Sequence, residues 1–256
     1  MYDSVQAKLY DLVYSNKDYE SETNFALQII QKHSLKNFLS IDLLDIGCGT
    51  GKHSLLLGRR LKKILAIDQS ADMIGIANSR TVTEDNVLFE ASSFDENFKC
   101  EKKFDVITLF FNVFGYIVNA ENGSQIIKKL YSLLEPNGLL IFDVWDCKTL
   151  SSEYEKIRVK EFNVDGVIYQ KKSFGNVNYK DQSIQVTIEW TSEPNAKKSP
   201  LLHEERFEIQ TFDIGALEEN LKANNFIIKL SKSDTEKDVP SIDGRSHWVV
   251  VKKKLI

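Results

Sequence analysis

Between residues 41 and 68 the chain reads Ile41-Asp42-Leu43-Leu44-Asp45-Ile46, then Gly-Cys-Gly-Thr-Gly, then KHSLLLGRRLK, then Ile64-Leu65-Ala66-Ile67-Asp68. A short apolar run, a glycine turn, a helix-period segment and a second short apolar run make a β-α-β unit, and such units build a mostly parallel sheet with both faces covered. The alternation continues: spacing predicts a helix over 71–80, a strand over 86–90, a strand over 104–111, a helix over 121–135 and a strand over 139–144. Two amphipathic stretches, 4–13 and 18–32, come first, with Phe25, Ala26, Ile29 and Ile30 at helical spacing.

Near residue 157 the texture changes to alternation of apolar and polar residues in IRVKEFNV, GVIYQKKSF, SIQVTIEW and HEERFEIQTF, broken by the turn signals Asp165-Gly166 and Gly175-Asn176. This pattern predicts a set of antiparallel hairpins. A helix over 213–224 and strands over 226–230 and 247–251 then resume the α/β core. The expected organisation is a helical cap (1–38), an α/β core (39–150), an antiparallel β insert (151–212) and a C-terminal part of the core (213–256).

Composition narrows the function. The 256 residues carry 33 Lys and Arg against 37 Asp and Glu, a net charge of −4, so a general nucleic-acid binder with a basic face is not expected. No apolar run approaches the ~18 residues that a membrane span needs, and the N-terminus has no apolar core of a signal peptide. Three widely spaced cysteines and four histidines form neither a disulfide framework nor a metal-site spacing, which points to a cytoplasmic protein without a metal.

Three chemistries compete for the glycine turn. A Walker A loop needs GxxxxGK followed by Ser or Thr, but residue 46 is Ile and residue 53 is His. A dinucleotide fingerprint needs Gly or Ala at its sixth position and finds Lys52 or Ser54 instead. The string Asp45-x-Gly47-Cys48-Gly49-Thr50-Gly51 resembles motif I of the class I S-adenosylmethionine-dependent methyltransferases. The likeness continues along the chain. AIDQSADMI resembles the family's second-strand motif, which puts Asp68 on the ribose hydroxyls with Gln69 beside it and Met73 by the adenine. EASSFD is similar to the adenine-side motif and gives that role to Ser92, Ser93 and Phe94, with Ser92 standing where Asp is usual. FDVITLFFNVFGYI and LLEPNGLLIFDV resemble the fourth and fifth strands, with Phe110 at the cofactor. The resemblance implies a Rossmann-like, seven-stranded, mostly parallel sheet with helices on both faces and an antiparallel last strand.

Within that family the N-terminus is similar to small-molecule N-methyltransferases of the amino-sugar type, through Tyr10, Asp11, Tyr14, Lys17, Asp18 and Tyr19. By this resemblance Tyr10 and Tyr19 close over the methionine end of the cofactor and Tyr14 lies near the methyl. Ligands of open parallel sheets bind beyond the carboxyl ends of the strands, which nominates Phe111, Asn112, Tyr116, Trp145 and Asp146 for the acceptor. Tyr14 or His203 is the candidate general base, Asn112 a further catalytic candidate, Trp190 a candidate acceptor wall, and Arg245 a candidate for an anionic group of the acceptor. The expectation is methyl transfer from S-adenosylmethionine, giving S-adenosylhomocysteine, to a small-molecule amine, in a chain whose β insert pairs it as a homodimer. A non-catalytic cofactor-binding module, an O-methyltransferase and an NAD-linked oxidoreductase are the alternatives.

Overall fold

The computed structural model describes residues 4–81, 85–119, 121–149, 151–164, 166–192, 201–242 and 244–254. Helices α1 (Ser4–Val13) and α2 (Tyr19–His33) come first, α2 starting where the Asp18 carboxylate accepts from Ser21 N–H at 2.8 Å. The core follows as β1 (Asp42–Ile46), α3 (Lys52–Gly58), β2 (Lys63–Asp68), α4 (Ala71–Arg80), β3 (Val87–Ala91), β4 (Phe104–Leu109), α5 (Val113–Ile117), α6 (Gly123–Leu133) and β5 (Leu134–Trp145). Four strands then form a separate sheet: β6 (Arg158–Val164), β7 (Val167–Asn178), β8 (Ser183–Ser192) and β9 (Leu201–Gln210). The core closes with α7 (Ile214–Ala223), β10 (Phe226–Ser233) and β11 (Ser246–Lys253).

The main sheet has seven strands in the order β10-β11-β5-β4-β1-β2-β3. Strand β11 runs antiparallel to both its neighbours, and the remaining pairs are parallel. The two-residue period of a strand sends alternate side chains to opposite faces. Leu43, Val106, Leu139, Ile141, Trp248 and Val250 join one core layer with Phe25, Ile29 and Ile30 of α2. Their neighbours Leu44, Ile107, Leu140, Phe142, Val249 and Val251 join the other, under α6 and α7. Both faces of the central strands are therefore covered, which is why these strands read as mostly apolar runs.

Two boundaries differ from the sequence expectation. Strand β5 begins at Leu134, paired with Phe104, and Asn137 takes φ 64 inside it; the Pro-Asn-Gly signal is a kink in the ladder and not the turn before it. Gly175 is no turn either: β7 runs on to Asn178, and a Cβ at Gly175 would stand 3.0 Å from Ile184 and 3.1 Å from the Tyr154 carbonyl, so the glycine permits close approach inside the strand. The turn residue Asp165 lies outside the described residues.

The second sheet, β6-β7-β8-β9, is wholly antiparallel. One of its faces, through Ile188 and Trp190, packs on Leu9 and Val13 of α1. Helix α1 therefore lies between this sheet and the glycine turn, where it can close a cleft. Among the described residues no helix is long and apolar enough to cross a membrane.

Candidate cofactor and acceptor site

The strand order reverses around β1, and the carboxyl ends of β1, β2 and β4 open there on one edge of the sheet, the usual crevice of such folds. Leaving β1, the backbone turns through Gly47, Gly49 and Gly51 at φ 72, 55 and 80, all left-handed. Two of the three are sterically demanded: a Cβ on Gly47 would lie 2.5 Å from Val113 Cγ2, and one on Gly51 would lie 2.6 Å from the Phe89 ring. Gly49 faces open space. The loop is pinned by Gly47 and Cys48 N–H donating to the Ile67 carbonyl at 2.8 and 3.0 Å, and by Gly49 N–H donating to the Asp68 carboxylate at 2.9 Å.

Asp68 accepts a second bond, from Ser70 N–H at 2.9 Å, and burial pushes its carboxyl up against these two bonds. Each carboxylate oxygen has room for a further donor, so vicinal hydroxyls remain acceptable partners. Asp45 is placed differently from the expectation. It is buried, with its oxygens accepting from Ser54 Oγ at 2.5 Å and from Thr108 Oγ1 at 2.8 Å, so it ties β1 to α3 and β4 beneath the loop instead of facing the cleft. Met73 is fully buried, and Phe94 packs on Phe98 in the core at 5.1 Å; neither is among the residues that wall the cleft. Ser92 donates its N–H to the Asp68 carbonyl at 2.9 Å, while Gln69 and Ser93 are exposed beside it.

The cleft is walled by the glycine loop with Cys48, by Tyr10 and Tyr19 of the cap, and by Phe110 and Phe111 after β4. Lys17, Thr50, Lys52 and His53 complete the wall; Lys17 and Thr50 belong to the quoted sequence patterns, and Lys52 and His53 were assigned no role there. The charges are paired. Lys17 bonds the Glu22 carboxylate, whose other oxygen meets His53 Nε2 at 2.8 Å. Burial pushes Glu22 up, but His53 and Lys17 outweigh it and hold the carboxyl below its ordinary value. Asp11 of α1 pairs with Arg80 of α4, lies 3.2 Å from Lys52 Nζ and accepts from Thr50 Oγ1 at 2.9 Å, which latches the cap onto the loop. The Tyr19 hydroxyl is buried without a hydrogen-bond partner in this wall, a donor waiting for an acceptor.

After β4 the chain makes a bend through Phe111 and Asn112, at φ 66 and 58. Left-handed non-glycine residues cost on the order of 1–3 kcal/mol each, more readily met by Asn than by Phe. Their amides repay this by donating to the Asp143 carboxylate of β5, at 2.6 and 2.9 Å. Asp143 is wholly buried, and burial together with Glu22 pushes its carboxyl up to about 7 against the charge of Lys17 and the two amides. Asn112 does not line the cleft: it is 3% exposed, its Oδ1 accepts from Trp145 N–H at 3.3 Å, and it lies against Gly115. Its Oδ1 thus serves the bend, while its buried Nδ2 is left without a hydrogen-bond partner.

Tyr14 stands edge-on to Phe111 at 4.9 Å and beside Tyr10 at 4.7 Å. Burial pushes its phenol up to about 12, which favours the protonated form and a role as wall or donor. Across from it, Lys171, Trp190 and His203 are cross-strand neighbours on β7, β8 and β9 and therefore share one face. Glu205, two residues on, shares that face too. Lys171 Nζ lies 5.6 Å from the Tyr14 ring centre and 6.0 Å from that of Trp190, and burial pushes it down to about 8. His203 Nε2 is 3.6 Å from Glu205 Oε1. Tyr116 stacks near Phe207 at 5.4 Å, and the Arg245 guanidinium lies 4.7 Å over Trp145 and 4.8 Å over Tyr154. The sequence reading passed over Lys171 and Glu205, although their alternate spacing with Tyr169 and with His203 and Phe207 was visible.

Comparison with known proteins fits this geometry. Residues 43–138 match the methyltransferase domain family. Over 141 residues the chain is 29% identical to the dTDP-3-amino-3,6-dideoxy-alpha-D-glucopyranose N,N-dimethyltransferase of Streptomyces fradiae, an alignment spanning 54% of this chain and 52% of that enzyme. It thus matches about half the length of that relative. Among solved structures, Streptomyces venezuelae DesVI superposes with a TM-score of 0.76 at 20% identity, covering 99% of this chain and 100% of that one. A S-adenosylmethionine-dependent methyltransferase from Clostridium acetobutylicum superposes with a TM-score of 0.74 at 20% identity, covering 97% and 98%. At those identities the likeness is one of fold. Residues 43–138 carry the methyltransferase domain match, and the seven-stranded sheet in which they lie has the fold of these S-adenosylmethionine-dependent methyltransferase structures.

Proposed function

We propose that the chain transfers a methyl group from S-adenosylmethionine to a small-molecule amine of the amino-sugar kind. The observation that carries this reading is the meeting, across α1, of a glycine loop backed by Asp68 with a second-sheet face bearing Lys171, Trp190, His203 and Glu205. The Streptomyces fradiae relative, by its name an N,N-dimethyltransferase of an amino-sugar nucleotide, supports the choice of amine.

In this reading the loop amides and Asp68 hold the adenosyl half of the cofactor, while Tyr10, Tyr19, Lys17 and His53 surround its methionine half. When bound, S-adenosylmethionine supplies an electrophilic methyl on a sulfonium. The protein's own part is to position the acceptor, exclude water and hold or take a proton. Phe111 and Tyr14 exclude water between the two halves. In this reading Glu205 and His203 are the proton acceptors toward the amine, and Lys171, pushed down to about 8, is neutral in part near that pH. Arg245, framed by Trp145 and Tyr154, suits an anionic group on the acceptor. We further infer a cytoplasmic homodimer joined at β6, the edge strand whose Val159 is 52% exposed; light scattering showing a monomer over a wide concentration range contradicts the dimer.

The test is incubation with methyl-labelled S-adenosylmethionine and a panel of amino sugars, amino acids and hydroxy or carboxy analogues. Label on amines supports the reading. Label only on oxygen makes the chain an O-methyltransferase, and saturable cofactor binding with no transfer makes it a binding module.

A further inference from the structure

We propose that Asp143 is a positioning residue for the cofactor cleft: its carboxylate holds the Phe111–Asn112 bend left-handed, and Lys17 and Glu22 tie that bend to the closed cap. The inference rests on the cofactor reading above and adds a residue that faces no ligand itself. Asp143 is 0% exposed, yet it accepts from two consecutive amides at 2.6 and 2.9 Å. A single side chain thereby satisfies both donors of a bend that Phe111 would not adopt unaided.

The bend matters because Phe111 forms the wall where the cap meets the core. Lys17, from the link between α1 and α2, places its ammonium 4.3 Å over the Phe111 ring and bonds Glu22 of α2. Tyr14 of the cap rests edge-on against the same ring. Glu22 in turn holds His53 of α3, which packs on Phe110 at 4.8 Å. The groups whose charge acts on Asp143 are Glu22, which repels it, and Lys17, which attracts it; on its β11 side stands Trp248, which is uncharged. An ionised Asp143 offers an acceptor to each amide. A protonated one turns a hydroxyl donor toward an N–H donor and releases one of the two bonds.

The experiment titrates S-adenosylhomocysteine into the parent chain and into Asp143→Asn by calorimetry, from about pH 5.5 to about pH 8.5, the span in which Asp143 gains or loses its proton. In the parent chain affinity is expected to fall as pH drops through about 7. In Asp143→Asn, whose amide can accept from only one of the two N–H groups, affinity at the alkaline end falls about tenfold or more and the pH dependence near 7 disappears. The Phe111 amide proton, read by NMR in the parent chain, resonates far downfield and moves with the same midpoint, so the proposal stands or falls even should the variant not fold. Affinity that is flat with pH, with an unshifted Phe111 amide, overturns the proposal alone. No binding of S-adenosylhomocysteine at any pH overturns the cofactor reading and the proposal with it.

Discussion

The two halves of the cleft are built from different material. On the cofactor side the contacts come from backbone: three left-handed glycines and loop amides held by Asp68. On the side proposed for the acceptor they come from side chains of five segments: Tyr14 after α1, Lys171 of β7, Trp190 of β8, His203 and Glu205 of β9, and Arg245 before β11. A backbone site must repeat its glycines at fixed spacing, because only glycine escapes the clash at Gly47 and Gly51. A side-chain site can be assembled from any residues that the register of a sheet brings together, so it tolerates change and can specify one acceptor among many.

The largest test of this contrast is Gly47→Val. A Cβ 2.5 Å from Val113 on a left-handed residue combines strain with overpacking, and urea unfolding should show a loss of about 3 kcal/mol or more. Next is Asp68→Ala, which should weaken S-adenosylhomocysteine by about 1.5–3 kcal/mol in calorimetry, the range for hydrogen bonds to a charged group. On the acceptor side, Lys171→Met should leave that affinity unchanged and raise stability by about 1–2 kcal/mol at pH 7. The sign follows from the lowered pKa of Lys171: the folded state binds fewer protons than the unfolded one between about 8 and 10.5, so the parent chain regains stability as pH rises through that window. The advantage of Lys171→Met should therefore shrink over the same range in thermal melts. The smallest effect is Asp11→Ala, which opens the latch to Arg80 and Lys52 at a cost of about 0.5–1 kcal/mol and should speed release of S-adenosylhomocysteine in stopped flow.

The same contrast explains what was legible in the sequence. The β-α-β order was readable because both faces of the central strands are covered and these strands are mostly apolar, as in β4, where every residue is buried. The glycine loop was readable for the steric reason above. Asp45 was misplaced because the motif shows a carboxylate next to the loop but not the Ser54 and Thr108 hydroxyls that register brings onto it. Asp143 was passed over for a related cause: its partners are amides of a bend 31 and 32 residues away, and a left-handed Phe leaves no mark in composition. Lys171 is pushed down by its burial in the assembled fold and by Lys160, which the alternation of β7 does not show. The choice between Tyr14 and His203 as general base stayed open in the sequence because burial, which pushes the Tyr14 phenol up, is a property of the assembled cap.

The measurement that bears most directly on the central claim, an adenosyl cofactor held by the glycine loop and Asp68, is a thermal-shift titration with S-adenosylhomocysteine and with NAD. A ligand that binds only the folded state raises the melting temperature by mass action. Stabilisation by S-adenosylhomocysteine, lost in Asp68→Ala and absent with NAD, is the predicted result. Stabilisation by NAD alone, or an S-adenosylhomocysteine response that survives Asp68→Ala undiminished, would contradict it.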